Sequence, residues 1–187
     1  MSVALLKRLL FTVEDYHKMI ASGVLKKYDR VELIRGEIVE MSPIGPVHAE
    51  YVDRLTELFI LRLTGRVRVR VQNPVELDDT SEPQPDIALL RRRPNFYIAG
   101  HPQPENVFLL VEVADSTVIK DREVKVPLYA EDNISEVWLV DINEQCLEVY
   151  REPSVNGYQN VQKLESGDSV TIQAFPDVVF AVDEILG

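Results

Sequence analysis

Cysteine is almost absent from this chain of 187 residues. The single one, Cys146, excludes an internal disulfide and leaves no CxxC pair for zinc or redox chemistry. A small buried apolar residue is the ordinary role that remains for it. Long apolar runs are also missing. None exceeds five residues, and the run from Val107 to Val111 is stopped by Glu112, far short of the roughly 18 residues that a membrane span needs. The stretch from Met1 to Phe11 has Lys7 and Arg8 among leucines but no continuous apolar core followed by a small-residue cleavage site, so a cytoplasmic protein with no membrane partner is expected. GxxxxGK[ST], HExxH and GxSxG do not occur, which excludes P-loop nucleotide binding, zincin chemistry and the serine nucleophile elbow.

Positive charge is scarce as well. The chain has 20 Lys and Arg against 31 Asp and Glu, a net charge of −11. The shortage is regional: residues 131–187 hold 12 acids and only Arg151 and Lys163, while residues 1–130 are nearly balanced, with 18 bases and 19 acids. A polyanion could therefore approach one side only. So acidic a chain repels nucleic acid at long range, and basic residues are not interleaved with aromatics as in single-strand binders. What is present is ordinary for a globular protein: 45% hydrophobic and 27% charged residues, at a length that suits one domain over residues 1–187. Local basic clusters stand at Lys26-Lys27, at Arg66, Arg68 and Arg70, and at Arg91–Arg93. Because Arg66, Arg68 and Arg70 alternate with Val67, Val69 and Val71, a strand here would put the guanidiniums on one face and the valines on the other. Such a face is either simply solvated or a contact for a polyanion.

Thr12 followed by Glu14 and Asp15 predicts a helix near 12–21, capped by the hydroxyl and stopped by Gly23. Val31–Ile34 and Glu37–Glu40 flank Arg35-Gly36, the pattern of two short strands joined by a tight turn. Apolar residues at Val47, Tyr51, Leu55, Leu58, Phe59 and Leu63 recur at helical spacing up to Thr64-Gly65. Strands are expected at 66–72, 74–77, 86–90 and 106–114, then a helix near 120–131. Further short strands are expected at 136–141, 147–151, 158–164 and 178–182. No repeat or low-complexity tract appears. The order predicts α/β (α+β) architecture, a central mixed sheet flanked by helices.

Some residues break these patterns. Glu112 lies within Val107–Val113, whose apolar character marks a strand covered on both faces. A carboxylate there must be paired, protonated or bound to a metal, because burying it alone costs several kcal/mol. Asp86 follows Glu82-Pro83-Gln84-Pro85, where two prolines hold the backbone extended ahead of an apolar strand. If strands 86–90 and 106–114 are neighbours, Asp86 and Glu112 converge as hard oxygen ligands for Mg²⁺ or Mn²⁺. Asp121, Lys125 and Tyr129 are spaced to share one helix face, where an exposed Asp121–Lys125 ion pair is the ordinary alternative. Pro127 implies a late start or a kink in that helix.

A proline-flanked Asp86 and, 26 residues on, Glu112 in an apolar strand form the skeleton of the PD-(D/E)XK nuclease superfamily. The usual lysine two residues after the Glu is replaced by Ala114. The segments Tyr28–Pro43, His48, Pro85-Asp86, Val111–Thr117, Asp121 through Lys125 to Tyr129, and Glu136–Asp141 resemble the Uma family of restriction-endonuclease-like proteins over roughly residues 11–185. In that family the catalytic lysine is thought to have moved to the following helix, which maps onto Lys125. The resemblance implies a restriction-endonuclease-like core and a metal-dependent endonuclease that hydrolyses DNA, leaving 5′-phosphate ends. Asp86, Glu112 and the carbonyl of Val113 would hold Mg²⁺ or Mn²⁺. Lys125 would orient or help deprotonate the attacking water, and Glu32 would add a carboxylate. His48 matches a recurrent family position near the site, although a lone histidine at a helix start is commonly structural. Arg66, Arg68 and Arg70, with Arg91–Arg93, would contact the DNA backbone. A homodimer is expected by the tendency of nucleases that cut both strands. The competing readings are a catalytically inactive nuclease fold serving as a DNA- or protein-binding module, and a metal hydrolase acting on a small phosphoester.

Overall fold

The structure, a computed structural model, describes residues 8–26, 28–115 and 118–187; of the residues singled out above, Met1 to Lys7, Lys27, Ser116 and Thr117 lie outside them. The N-terminal helix α1 (Val13–Ser22) starts as its sequence dictates. The Thr12 hydroxyl accepts the Asp15 N–H, the Asp15 carboxylate accepts the Thr12 N–H, and Gly23 at φ 79° closes the last turn. A hairpin of β1 (Val31–Ile34) and β2 (Glu37–Glu40) follows. Its two-residue turn puts Arg35 at φ 47° and Gly36 at φ 77°, the doubly left-handed geometry that matches strand twist. Helix α2 (Pro46–Arg62) then opens on Pro46, whose missing N–H costs nothing in a first turn.

Six strands form the main sheet in the order β3-β4-β5-β6-β7-β8. They are β3 (Arg68–Val71), β4 (Ile87–Leu90), β5 (Val107–Ala114), β6 (Glu136–Asp141), β7 (Cys146–Ser154) and β8 (Gly157–Leu164). Only β5 and β6 are parallel. Their crossover is built from α3 (Val118–Lys120), a π-turn (Asp121–Lys125) and α4 (Val126–Glu131) in direct succession. A separate pair, β9 (Ser169–Ile172) and β10 (Phe175–Ala181), leads into α5 (Val182–Leu186).

The sheet has a core on each face. Tyr51, Leu55 and Phe59 of α2 meet Trp138 and Phe180 on one face; Ala88, Leu90, Leu110 and Leu139 meet Leu128 and Tyr129 of α4 on the other. β5 is therefore covered on both sides, which is why its sequence reads as an almost unbroken apolar run. Cys146 is fully buried, in the small-residue role expected of it.

Several boundaries differ from those the sequence predicts. Residues 74–77 make no strand: the Val75 N–H bonds to the Pro83 carbonyl and that of Leu77 to Ser81, folding this stretch back on its own loop. β3 begins at Arg68 rather than 66, because the Arg66 N–H closes the turn on the Leu63 carbonyl. β9 lies in a stretch where no strand is predicted, and the strand expected at 178–182 runs from Phe175 to Ala181 with Val182 already helical. Pro127 neither delays nor breaks its helix. The Val126 N–H bonds to the Asp121 carbonyl, five residues back, so the turn before the proline is widened and the clash of its ring with the preceding turn is relieved.

A methyl group on Gly36 would lie 2.7 Å from Leu10 Cβ, in a backbone conformation that L-residues disfavour. Gly36→Ala is therefore expected to lower the unfolding free energy by about 1–2 kcal/mol from the left-handed backbone alone. A denaturant midpoint equal to that of the parent would show that the hairpin turn relaxes freely.

Candidate active site

β4 and β5 are antiparallel neighbours with Ile87 opposite Val111, so Asp86, one residue before β4, stands beside Glu112. Alternation along both strands sends Ile87, Leu89, Val111 and Val113 into the core beneath α2, and Asp86 and Glu112 to the opposite face. The approach to Asp86 is clamped by β1. Pro83 and Pro85 have no N–H to give. The donors on either side of Pro83 are both used: Glu82 N–H to the Leu33 carbonyl at 2.8 Å, and Gln84 N–H to Glu32 Oε2 at 3.1 Å.

Asp86 accepts at both oxygens. Its Oδ2 takes the Val113 N–H at 2.9 Å and faces His48 Nε2 at 3.1 Å, while its Oδ1 takes the Gln72 amide at 3.2 Å. Burial pushes its pKa up, but the bond from His48 and then that from Val113 outweigh it, so Asp86 titrates below the usual carboxylate range. The same contact raises His48 against its own burial. The other ring nitrogen of His48, Nδ1, is buried with no hydrogen-bond partner among the described residues.

Glu112 is 2% exposed. The Tyr129 hydroxyl donates to its Oε1 at 2.5 Å, and Lys125 Nζ reaches the two oxygens at 3.1 and 3.3 Å. Burial drives its pKa up to about 8, Lys125 opposing and Asp121 and Asp86 adding to the rise. Lys125, 4% exposed, also lies 3.3 Å from Glu32 Oε2 and 3.4 Å from the Gln84 carbonyl. Its burial alone would lower its pKa, but Glu112 and then Glu32 hold it well above the ordinary value. Glu32, fully buried, takes a second cation, Lys120, at 2.8 Å. Despite its burial, Lys125 and Lys120 keep it in the ionised form. Asp121 is buried in the same cleft.

Asp86, Glu112, Lys125, Glu32, Val113, His48 and Asp121 thus line one cleft of about 80 Å³, room for several water molecules, and Tyr129 closes it from behind through Glu112. The exposed Asp121–Lys125 pair does not form. Both residues are buried and Lys125 faces Glu112 and Glu32 instead, because the π-turn turns this side of the helix toward β5. Lys120, Gln72 and Gln84 complete the cleft without having been singled out in the sequence; the signal for Gln84 was its place between the two prolines.

Five carboxylates, Glu32, Asp86, Glu112, Asp115 and Asp121, line the cleft with Arg30, Lys120 and Lys125. The donors are hard oxygens of the kind Mg²⁺ and Mn²⁺ select, so Asp86, Glu112 and the Val113 carbonyl are the groups that could hold such an ion.

The arginines separate. Arg66 is held by Asp177 at 2.6 and 3.0 Å over the ring of Phe175. Arg68 and Arg70 pair with Leu90 and Ala88 of β4, and Arg68 stacks 3.8 Å above Phe96. Arg91 lies over Phe108 and Arg93 over Tyr97. Basic and aromatic side chains that are not interleaved in the sequence are thus interleaved in space.

A family described as "Putative restriction endonuclease" matches residues 13–183. No curated protein matches the chain. A solved structure described as "a putative nuclease belonging to DUF820" from Anabaena variabilis aligns with a TM-score of 0.71 over 94% of this chain and 97% of that one, at 15% identity. No helix among the described residues is long and apolar enough to cross a membrane.

Replacing Lys125 by Met would leave Glu32 and Glu112 buried with one cation fewer, and is expected to cost about 3–5 kcal/mol of stability at pH 7. Glu112, already raised, and Glu32 would both hold a proton more tightly than in the parent, so the loss should shrink as pH falls and they take up protons. Denaturation at pH 5 and pH 7 checks this; a loss independent of pH would mean that Lys125 acts by packing alone.

Proposed function

The chain belongs to the Uma2 family, described as "Putative restriction endonuclease", and from that membership and the cleft we propose a metal-dependent endonuclease that hydrolyses DNA phosphodiester bonds. The observation that carries this reading is the adjacency of Asp86 and Glu112 across β4 and β5 with the Lys125 ammonium beside them. Asp86, Glu112 and the Val113 carbonyl would hold Mg²⁺ or Mn²⁺. Bound there, the ion would supply charge neutralisation at the phosphate and a water of lowered pKa.

The protein's own groups have separable tasks. Lys125 stays protonated, so it serves as a donor that orients the attacking water and meets negative charge at the phosphate rather than as a base. Glu32 fixes Lys125 from the side opposite Glu112, and Lys120 balances Glu32. His48 and Tyr129 are positioning residues, each holding one of the two carboxylates. Arg68 and Arg70 stand on the cleft side of the sheet, continuing the row that starts at Gln72 and Asp86. With Arg93 over Tyr97 beyond them on that face, they would be the backbone contacts, whereas Arg91 lies over Phe108 on the α2 face. Arg66 would have to leave Asp177 to join them. A two-fold homodimer in the cytoplasm would present two such clefts to the two strands of a duplex.

Cleavage of supercoiled plasmid should require Mg²⁺ or Mn²⁺, disappear with EDTA, and fall by at least about 100-fold in Asp86→Asn and Glu112→Gln. Because the ion needs ionised Glu112, activity should rise with pH up to about 8 and level off above it. Cleavage equal in parent and variants would point to a contaminant, and none with any metal would favour a binding module.

Replacing Arg68 and Arg70 by Ser should lower the slope of log affinity against log salt by about two for duplex DNA. An identical slope would remove both from the interface.

A further inference from the structure

A second set of donors meets where α1, the proline approach to Asp86 and the 91–105 loop come together. His17, Glu82 and His101 each offer one ligand atom, and these atoms lie within 4.8 Å of one another. His17 Nε2 is 2.8 Å from Glu82 Oε2, and the rings of His17 and His101 meet edge to face with centroids 6.1 Å apart. The Glu82 side chain is 3% exposed, deep enough that a carboxylate there needs a cation beside it. Burial holds His101 below its ordinary pKa, with Arg70 and His17 adding, so its ring is neutral at neutral pH and has a lone pair to give. None of these three residues has a task in the cleft.

Two imidazoles and one carboxylate form a donor set that suits a borderline ion such as Zn²⁺, which takes His and Glu ligands at about 2.0–2.2 Å and in three-ligand sites keeps one position for water. Mg²⁺ prefers oxygen donors alone, as in the cleft. The other described cluster of this kind, Asp141, Glu144 and Cys146, differs in that Arg122 and Lys163 already neutralise its two acids.

We propose that His17, Glu82 and His101 form a Zn²⁺ site distinct from the nuclease cleft. The ion would tie α1 and the 91–105 loop to a residue four positions ahead of Asp86. Glu82 is already fixed at its backbone by the Leu33 carbonyl, and α1 by the bond from the Val13 N–H to the Asp79 carbonyl, so two of the three ligands stand on held segments. The site would cross-link parts of the chain far apart in sequence and brace the stretch that sets the position of Asp86. Glu76, whose charge acts on both Glu82 and His101, adds to the attraction for a cation, and Arg70 opposes it.

The test uses the full chain stripped with EDTA and carrying Asp86→Asn with Glu112→Gln, so that the cleft cannot supply the signal. Calorimetric titration with ZnCl₂ should show one ion per chain, binding that persists in excess Mg²⁺, and a melting temperature raised by Zn²⁺. His101→Ala, and separately His17→Gln, which keeps the side-chain volume, should each weaken Zn²⁺ binding by more than about 100-fold, since even residues behind a ligand cost 10–100-fold. Circular dichroism establishes that the variants are folded. No Zn²⁺ binding in the parent, or equal binding in a folded His101→Ala, overturns the proposal.

Discussion

Lys125 carries its ammonium into the interior, where Glu112 of β5 and Glu32 of β1 reach it at 3.1 and 3.3 Å. A buried ion pair returns its desolvation cost only when geometry is good and the remaining donors and acceptors are met. That condition ties three parts of the fold to one another. The hairpin must bring Glu32, the central strand must bring Glu112, and the crossover helix must bring Lys125, with Tyr129 and Lys120 closing the remaining carboxylate oxygens. The π-turn has its explanation here. By widening the helix between Asp121 and Lys125 it accommodates Pro127 and presents both residues to β5, where Glu112 is buried.

The same interaction leaves the cleft unbalanced. Lys125 is shared between two carboxylates, Glu112 and Glu32, while Asp86 is met by His48. A purely structural ion-pair network would be expected to even out its charges, since each surplus buried carboxylate weakens the fold. The surplus here falls where Asp86 is fixed by three hydrogen bonds and Glu112 by three contacts. Holding like charges close together in a fixed arrangement costs stability, and that cost is of the sort that a cation-dependent site carries.

Much of this could be read from the chain, because it depends on local pattern. Thr12 and Asp15 announce α1, Arg35-Gly36 the hairpin, and the unbroken apolar character of residues 107–113 the central strand with Glu112 as its exception. The prolines flanking Gln84 mark Asp86. What could not be read is non-local. Nothing in the sequence says that Arg66 will turn to Asp177, 111 residues away, or that Lys120 will reach Glu32. The pairing of residue 75 with 83 in place of a strand depends on a loop closing on itself. The meeting of His17 with Glu82 and His101 follows only once β1 has clamped the proline segment. Periodicity reports which face a residue takes, and says nothing of what arrives on that face from elsewhere.

The charge segregation along the chain also changes meaning on folding. In sequence, the acids of residues 131–187 form a block that would repel a polyanion from one side. In the structure, many of them are paired with bases from the balanced part: Glu131 with Arg35, Asp141 and Glu148 with Arg122, Asp177 with Arg66, Glu184 with Arg62. These pairs soften the acidic block, but they also withdraw arginines that the sequence had left available to a ligand. Among the described residues, Arg68 and Arg70 on the cleft side form no ion pair with an acid, and Arg68 and Arg93 lie over aromatic rings there, while Arg91 lies over Phe108 on the α2 face. A guanidinium on an aromatic face keeps its charge while its position is fixed, which suits contact with phosphate more than a freely solvated side chain would. An acidic protein can in this way keep a basic strip beside an acidic cleft, and on the proposed reading short-range contact along that strip, rather than long-range attraction, would bring an anionic substrate to Asp86 and Glu112.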